Sequence, residues 1–430
     1  MFDYPKLADS CTFHLYDNGG GAEEYVLTSV SGRQFKVSAL ARKILSRLDG
    51  KTYLDQIAAE LNAESVPITS DQLRALLEQR YAGLGVIEDG TAAPAATSRV
   101  VRSPGFPMLL TWDLVPQPVV ERMAALLRFL YAPVAVLLAL AAIGGAHVFV
   151  YSHNLNAAAL TPESYLWITA LCLLSILFHE LGHAAAVSWF GGSPGRIGCG
   201  LYILMPTFYA DVSQLWRFPR RQRMIVDLGG TFFQQIAFAG FAALAAGTGS
   251  PELLATCRLI DLMVLTALNP LFHFDGYWFL ADYLAVPKLQ DVAFKSLRWR
   301  LRRLLGRPGE APKLPPLGRL ASGVFFSYSV LASVFLVATF WLVYRYLSNT
   351  FIQFPMVAPR AFHAVVAAFE SGDVPLLLVR ALALFFLAAF PVTALIGIGL
   401  LLTRLARAGA KRLARQAAAT PGDPLSRRLT

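Results

Sequence analysis

The sequence predicts a polytopic α-helical membrane protein with a small α+β domain, of the winged-helix kind, at its amino terminus. Three observations support this fold class. Of the 430 residues, 55% are hydrophobic and only 15% are charged, which is typical of a chain that crosses a membrane several times. About six apolar runs after residue 129 are each long enough to cross a ~30 Å hydrocarbon core. Residues 1–95, in contrast, alternate short strand-like and helix-like runs.

The amino-terminal 95 residues show the element order of a winged-helix domain. Three strand-like runs, divided by glycine-containing turns, are predicted at residues 13–16, 25–30 and 34–37. Three helices with apolar residues on one face follow at residues 38–48, 53–61 and 70–84, before a last strand at residues 86–87. We therefore assign residues 1–95 to one soluble domain.

Charge argues against nucleic acid as the partner of this domain. The whole chain has a net charge of +10, but residues 1–95 contain 9 Lys and Arg against 13 Asp and Glu, a net charge of −4. A domain that neutralises phosphates needs an excess of basic residues. No nucleic acid is expected as a partner.

Two segments of this domain resemble the PqqD-like peptide-recognition domain. They are Val37-Ser38-Ala39-Leu40-Ala41-Arg42-Lys43-Ile44-Leu45 and the stretch from Leu48-Asp49-Gly50-Lys51-Thr52 to Ile57-Ala58-Ala59-Glu60-Leu61. Members of that family bind leader segments of ribosomally made peptides by adding the peptide as an extra strand. The resemblance implies that residues 1–95 capture a leader-bearing precursor peptide. A folding or regulatory module without a peptide ligand is the alternative.

The distribution of Lys and Arg predicts how the rest of the chain is arranged in the membrane. Residues 96–129 are assigned to a linker and juxtamembrane segment. Spans are predicted near residues 130–151, 166–190, 224–246, 253–284, 320–346 and 374–402. Basic residues crowd the loop at 217–223, the loop at 286–319 and the tail at 404–430, whereas residues 151–164 and 247–252 carry none. We therefore expect a multi-pass protein in the lipid of the cytoplasmic membrane. By the positive-inside rule, both termini and both basic loops face the cytoplasm.

This arrangement divides the membrane part into four segments. We expect a catalytic core at 130–285, a basic cytoplasmic loop at 286–319, two further transmembrane helices with an external interfacial segment at 320–403, and a basic cytoplasmic tail at 404–430.

A His-Glu-Leu-Gly-His motif lies within the second apolar run. On a helix, His179 and His183 project from the same face and can hold one Zn²⁺, while Glu180 can reach a metal-bound water as a general base. A motif this short also occurs by chance, mostly on solvent-facing helices. Because ionisable groups inside a span are costly unless they coordinate something or line a wet cavity, this setting favours a zinc site.

Two interruptions of the apolar pattern bear on the same site. Residues 197–216 contain Gly198, Gly200 and Pro206, and we predict a re-entrant hairpin that enters from the cytoplasmic side. Residues 253–284 are longer than one straight span, and Pro270 and Gly276 predict that the helix unwinds between them. Unwinding there leaves the carboxylate of Asp275 at membrane depth, where it can complete a zinc site with the two histidines.

Two motifs together resemble the site-2 protease family of intramembrane zinc metalloproteases, over about residues 160–285. They are His179-Glu180-Leu181-Gly182-His183, and Asn269-Pro270 followed by Asp275-Gly276. Residues 206–213 and 269–277 look most like the bacterial peptide zinc metalloprotease branch, some of whose members serve peptide maturation, so a bacterial membrane is expected. The resemblance implies His179, His183 and Asp275 as zinc ligands, Glu180 as the base, and Asn269 as a residue that orients or polarises the substrate amide.

Three more residues are candidates for substrate binding: Tyr209, Asp211 and His273. Tyr209 and His273 can donate to an oxyanion, but both are equally consistent with ordinary buried, hydrogen-bonded side chains.

These observations predict a membrane-embedded zinc metalloendopeptidase that cleaves a peptide or membrane-associated substrate, with leader removal from a ribosomally made peptide as one use. Two alternatives without peptidase activity stay open: a membrane peptide-binding or export protein, and a metal-handling protein.

Overall fold

The computed structural model describes residues 4–17, 23–29, 34–64, 66–81, 86–88, 109–155, 160–202, 205–286, 288–307, 309–312 and 314–385, together with residues 387 and 403. The chain divides into two compact units. The first consists of Met1–Leu160 and Trp167–Phe335, and the second of Thr161–Leu166 and Leu336–Thr430. The amino-terminal domain and the metal-binding motifs all belong to the first unit.

The amino-terminal domain combines antiparallel strands with three helices. Its elements are β1 (Lys6–Leu7), β2 (Thr12–Tyr16), β3 (Glu24–Thr28), β4 (Gln34–Ser38), α1 (Ala39–Leu45), α2 (Leu54–Ala63), α3 (Ser70–Leu76) and β5 (Ile87–Glu88). Strands β2, β3 and β4 form one antiparallel sheet in that order, and β1 pairs with β5. The winged-helix assignment itself stays a prediction.

Helix caps and a leucine-rich core account for this part of the fold. The Ser38 hydroxyl accepts the Ala41 N–H at the start of α1, and Thr69 and Gln72 form a capping box on α3. The helices bury apolar side chains against Leu27 of β3, and Leu54, Ile57 and Leu73 are fully buried there. The third helix was expected to run to residue 84, but α3 ends at Leu76 and continues as a π-helical turn, Leu77–Tyr81.

The remaining elements of the chain are mainly helices. They are β6 (Leu109–Val115), α4 (Gln117–Leu127), α5 (Pro133–Ser152), α6 (Pro162–Trp189), β7 (Ile197–Tyr202), β8 (Met205–Ala210), α7 (Arg220–Asp227), α8 (Gly229–Thr248), α9 (Pro251–Ala267), α10 (Asp275–Tyr283), α11 (Leu289–Leu304) and α12 (Arg319–Glu370). Strand β6 and helix α4 lie within residues 96–129, which we had assigned to a linker and juxtamembrane segment.

Four helical segments within the described residues are long and apolar enough to cross a membrane, which indicates a membrane protein. They are Pro133–Ser152, Pro162–Trp189, Arg220–Thr248 and Arg319–Thr339. The span predicted at 253–284 consists of two shorter helices, α9 and α10, separated by the segment that contains Pro270. The span predicted at 374–402 lies largely outside the described residues. Six spans therefore stay a prediction.

Small residues let α6 and α8 pack closely. A Cβ atom on Gly182 of α6 would lie 2.2 Å from the carbonyl oxygen of Gly229, at the start of α8. The Tyr131 hydroxyl donates to the Gly182 carbonyl at 2.9 Å, and its ring stacks on Phe233 of α8. Close backbone approach of this kind is typical of helices inside a membrane. It fixes the metal-binding segment of α6 against α8.

Strands β7 and β8 form the hairpin expected within residues 197–216. Their register runs from Ile197 opposite Ala210 to Tyr202 opposite Met205. Strand β6 pairs with the other side of β7, so the strand order is β6-β7-β8. Within the described residues, β8 pairs with no strand but β7, and Thr207–Ala210 lines the cavity described below.

Candidate active site

Three side chains that could hold a metal ion, from two helices, meet in the interior. His179 and His183 lie one turn apart on α6, and Asp275 is the first residue of α10. The Nε2 atoms of the two histidines are 3.2 Å apart, and the Asp275 oxygens lie 3.0 Å from His179 Nε2 and 3.5 Å from His183 Nε2. Four donors around zinc, each at 2.0–2.1 Å, are about 3.3–3.4 Å from one another. The spacing of these donor atoms fits a tetrahedral zinc site.

Hydrogen bonds on the far side of each imidazole direct both Nε2 atoms toward Asp275. His183 Nδ1 donates to the Val226 carbonyl at 2.7 Å. His179 Nδ1 lies 3.1 Å from Gln234 Oε1. The Gln234 amide nitrogen donates to Ser175 Oγ at 3.3 Å, which orients Oε1 as the acceptor for His179. With both Nδ1 atoms protonated, each Nε2 presents a lone pair, as a metal ligand must.

A glycine of α8 lies directly against the two ligand nitrogens. A Cβ on Gly230 would be 2.4 Å from both His179 Nε2 and His183 Nε2. The sequence interpretation missed this residue. The only signal was the pair Gly229-Gly230 at the start of an otherwise apolar helix.

The break between α9 and α10 depends on another close approach. A Cβ on Gly276 would be 2.0 Å from the carbonyl oxygen of Leu268, the residue that caps α9. Glycine is therefore required next to Asp275 to bring the start of α10 against the end of α9, which places the carboxylate opposite the two histidines.

Glu180 lies in the same cavity as the three donors. Its side chain is buried, and the backbone N–H of Ala210 at the end of β8 faces its carboxylate. The cavity has a volume of about 610 Å³ and is lined by α6, β8, α9, α10 and the α7–α8 segment. The hairpin thus holds the carboxylate beside the candidate metal ligands.

The other predicted substrate-binding residues divide into two groups. Tyr209 and His273 line the cavity. The Tyr209 hydroxyl donates to Asp113 at 3.3 Å, and burial together with the Asp113 carboxylate raises the pKa of Tyr209, so this hydroxyl keeps its proton. The ring of His273 packs on Tyr277, with centroids 4.2 Å apart.

Asn269 and Asp211 do not line this cavity. Asn269 Oδ1 accepts the N–H of Leu271 at 3.0 Å, and Asp211 Oδ1 accepts the N–H of Ser213 at 3.1 Å. Both side chains shape turns, since short polar side chains readily bond the backbone two residues on. A direct role of either residue in substrate binding stays a prediction.

The amino-terminal domain contacts the rim of the cavity through the end of β2. Arg223, one of the arginines assigned above to a cytoplasmic loop, is only 1% exposed. Its guanidinium donates to the Asp282 carboxylate at 2.9 Å, the Phe218 carbonyl at 3.1 Å and the Asp17 carbonyl at 3.0 Å. The Asp17 carboxylate in turn accepts the N–H of Arg220 at the start of α7, at 3.0 Å.

Aromatic contacts strengthen the same junction. The rings of Tyr16 and Trp216 are 5.7 Å apart, and Lys36 Nζ lies 3.6 Å from the centre of the Tyr16 ring. Trp216, Arg223 and Asp282 also line the cavity. The domain thus packs onto residues that form the wall of the candidate active site.

Comparison with known proteins gives one distant relative. No protein-family model and no solved structure matches the chain. Among curated proteins, the chain is similar to "Putative peptide zinc metalloprotease protein YydH" of Bacillus subtilis (strain 168), with 24% identity over 155 residues. The match covers 36% of this chain and 61% of that protein.

Proposed function

We propose that the chain is a membrane-embedded zinc metalloendopeptidase of the site-2 protease type. The observation that carries this proposal is the convergence of two histidines, an aspartate and a buried glutamate in one cavity. His179, His183 and Asp275 have the donor types and spacing of a catalytic zinc site with an open position, and Glu180 is the candidate base beside them. The similarity to a protein named as a peptide zinc metalloprotease supports the same class.

The chemistry follows from the positions of these side chains. His179, His183 and Asp275 would hold the metal, which when bound activates water and polarises a carbonyl as a Lewis acid. Glu180 takes the proton of the attacking water and returns it to the leaving amine. The Ala210 N–H, which faces the carboxylate, would help to keep it in place for both transfers. His273 and Tyr209 are the side chains proposed to stabilise the oxyanion, and Tyr209 would have to turn its hydroxyl from Asp113 to the substrate to do so.

The substrate is proposed to bind as an extended strand. A peptide bond must be locally extended to expose its carbonyl, and β8, which lines the cavity beside Glu180, pairs with no strand but β7 within the described residues. We propose that residues 1–95 capture a leader-bearing precursor by strand addition as well. The contact of β2 with the cavity rim, at Asp17 and Tyr16, supports delivery of a captured peptide to this site.

We also propose that cleavage takes place in the cytoplasmic half of the membrane, with both termini in the cytoplasm. His183 lies six residues before the end of α6 at Trp189, or about 9 Å along the helix axis. Asp275 lies eight residues before the end of α10 at Tyr283, or about 12 Å. The end of α10 leads into the basic segment 286–319, and the hairpin that follows α6 leads into the basic segment 217–223. The positive-inside rule places both segments in the cytoplasm.

Metal analysis and capture of the substrate test this function. Purified full-length protein should contain one zinc ion per chain. Glu180→Gln should keep zinc and lose cleavage, whereas Asp275→Ala should lose most zinc. Peptides that co-purify with the Glu180→Gln protein, identified by mass spectrometry, should be cut by the unmodified protein. Full zinc occupancy in a His179→Ala/Asp275→Ala variant would refute the site, and zinc without any peptidase activity would favour a metal-handling protein.

A further inference from the structure

A buried carboxylate in the cavity wall has an oxygen without a partner. Asp227, the last residue of α7, is only 6% exposed and lines the cavity. No group among the described residues forms a hydrogen bond with its Oδ2 atom. Burial of a polar group without a hydrogen bond is costly, and burial of an unpaired charge is more costly still. The Asp227 carboxylate at the cavity wall therefore has hydrogen-bonding capacity that no described group uses.

The other carboxylates of the cavity have a partner or a role in the candidate site. Asp275, whose Oδ2 also lacks a hydrogen bond among the described residues, faces the two histidines with which it would hold the metal, Glu180 is the candidate base, and Asp282 binds Arg223. The guanidinium of Arg223 is engaged with Asp282 and with two backbone carbonyls, those of Phe218 and Asp17. The hydrogen bonds and ion pairs of Arg223 within the described residues do not include Asp227.

An ionised Asp227 would have no counter-charge among the residues that line the cavity. If zinc is bound, its two positive charges offset Asp275 and Glu180, and Arg223 offsets Asp282. Without zinc, the cavity is more negative still. Its apolar lining, which includes Val226, Leu262 and Met263, lowers the local dielectric and strengthens attraction for a cation.

We propose that Asp227 binds a cationic nitrogen of the substrate, from an Arg or Lys side chain near the scissile bond or from a free amino terminus. The proposal rests on the function proposed above and names the substrate class of that site. An ammonium or guanidinium group would donate to the Asp227 carboxylate and supply the missing positive charge through a charge-assisted hydrogen bond. Asp227 lies next to Val226, whose carbonyl holds His183, so the cation would be bound close to the candidate metal ligands.

Peptide binding tests the proposal without need of catalysis. The protein is the full-length Glu180→Gln variant in lipid nanodiscs. The probes are three fluorescent Ala/Leu peptide amides. The first is acetylated and contains one Arg, and the second is acetylated and contains citrulline, the neutral isostere of Arg, in its place. The third is the citrulline peptide with a free amino terminus. The Arg peptide, the free-amine peptide or both should bind about 10- to 100-fold more tightly than the acetylated citrulline peptide. The two positively charged probes distinguish a side chain from an amino terminus as the source of the cation.

Substitutions at Asp227 assign the preference. Asp227→Asn should abolish the difference between charged and neutral probes, while Asp227→Glu should keep it. Asp261→Asn is the matched control, because Asp261 is an intramembrane carboxylate bound by Tyr151 and Gln235 and does not line the cavity. Equal binding of all probes, no binding of the charged probes, or a preference that persists in Asp227→Asn would overturn the proposal.

Cleavage by the unmodified protein separates this proposal from the proposed function. If charged probes bind selectively through Asp227 but no peptide is ever cut, the cation site stands and the peptidase assignment fails. If peptides are cut with the same kcat/KM for Arg and citrulline, and for free and acetylated amino termini, the peptidase stands and the cation site fails.

Discussion

Loss of the Gln234 side-chain amide should weaken zinc binding without removing any zinc ligand. In Gln234→Leu, the Nδ1–H of His179 loses its acceptor at 3.1 Å inside the protein, and the imidazole loses the contact that fixes its tautomer. Removal of such an outer partner typically lowers metal affinity about 10- to 100-fold, or about 1.4–2.7 kcal/mol. The cost of leaving a buried donor unsatisfied, about 1–3 kcal/mol, is of the same size.

The neighbouring residue is a matched control for this experiment. Gln235 lies on the same helix and carries the same side chain, but its amide donates to Asp261 at 2.9 Å and contacts no candidate ligand. Gln235→Leu should therefore change zinc affinity by less than about 3-fold. Gln234→Glu, which keeps an acceptor for the Nδ1–H, should retain zinc.

Zinc affinity is measured by competition with a chromogenic chelator on purified protein, with the thermal unfolding temperature recorded for each variant. If Gln234→Leu binds zinc as tightly as the unmodified protein, or if Gln235→Leu is weakened to the same degree, the proposed support of His179 is wrong.

Three further predictions concern the packing, the domain junction and the topology. Gly230→Ala should abolish zinc binding, because its Cβ would lie 2.4 Å from both candidate ligand nitrogens. The control is Gly240→Ala on the same helix, whose Cβ would have nothing within 4 Å and which should bind zinc normally. Equal zinc content in the two variants would contradict this packing. Asp17→Ala removes the side-chain acceptor for the first N–H of α7 and should speed amide hydrogen exchange at the start of α7 about 2- to 30-fold. Unchanged exchange at these amides, measured by mass spectrometry, would argue against the contact between Asp17 and α7. In a cysteine-free background, single cysteines at residues 206–210 should react with a membrane-impermeant thiol reagent in inside-out vesicles but not in right-side-out cells, and the reverse pattern would refute the cytoplasmic placement of the hairpin.

Much of the fold follows from patterns that are local in the sequence. The three strands β2, β3 and β4 and the three helices of the amino-terminal domain lie close to their predicted positions, because alternation and helical periodicity act over a few residues. The break between α9 and α10 was also predictable, since Pro270 removes a backbone donor and Gly276 permits close approach. Strand β6 was missed because its partner, β7, begins more than 80 residues later in the chain.

The sequence by itself determined which residues carry the candidate chemistry. The four-residue spacing of His179 and His183 places both on one face of a helix whatever the rest of the chain does. Glu180 follows from the same motif, and Asp275 from the broken helix. These are properties of single elements, so they can be read without knowledge of the packing.

Only the tertiary structure decided what surrounds those residues. Gln234 supports His179 across 55 positions of sequence, and Arg223 contacts Asp17 across 206. No local periodicity encodes such pairs, because they arise from the way whole helices and domains pack. The same holds for Asp227 Oδ2, which has no hydrogen-bond partner within the described residues. Whether a carboxylate oxygen has a partner depends on all the groups packed around it, and that packing exists only in the folded chain.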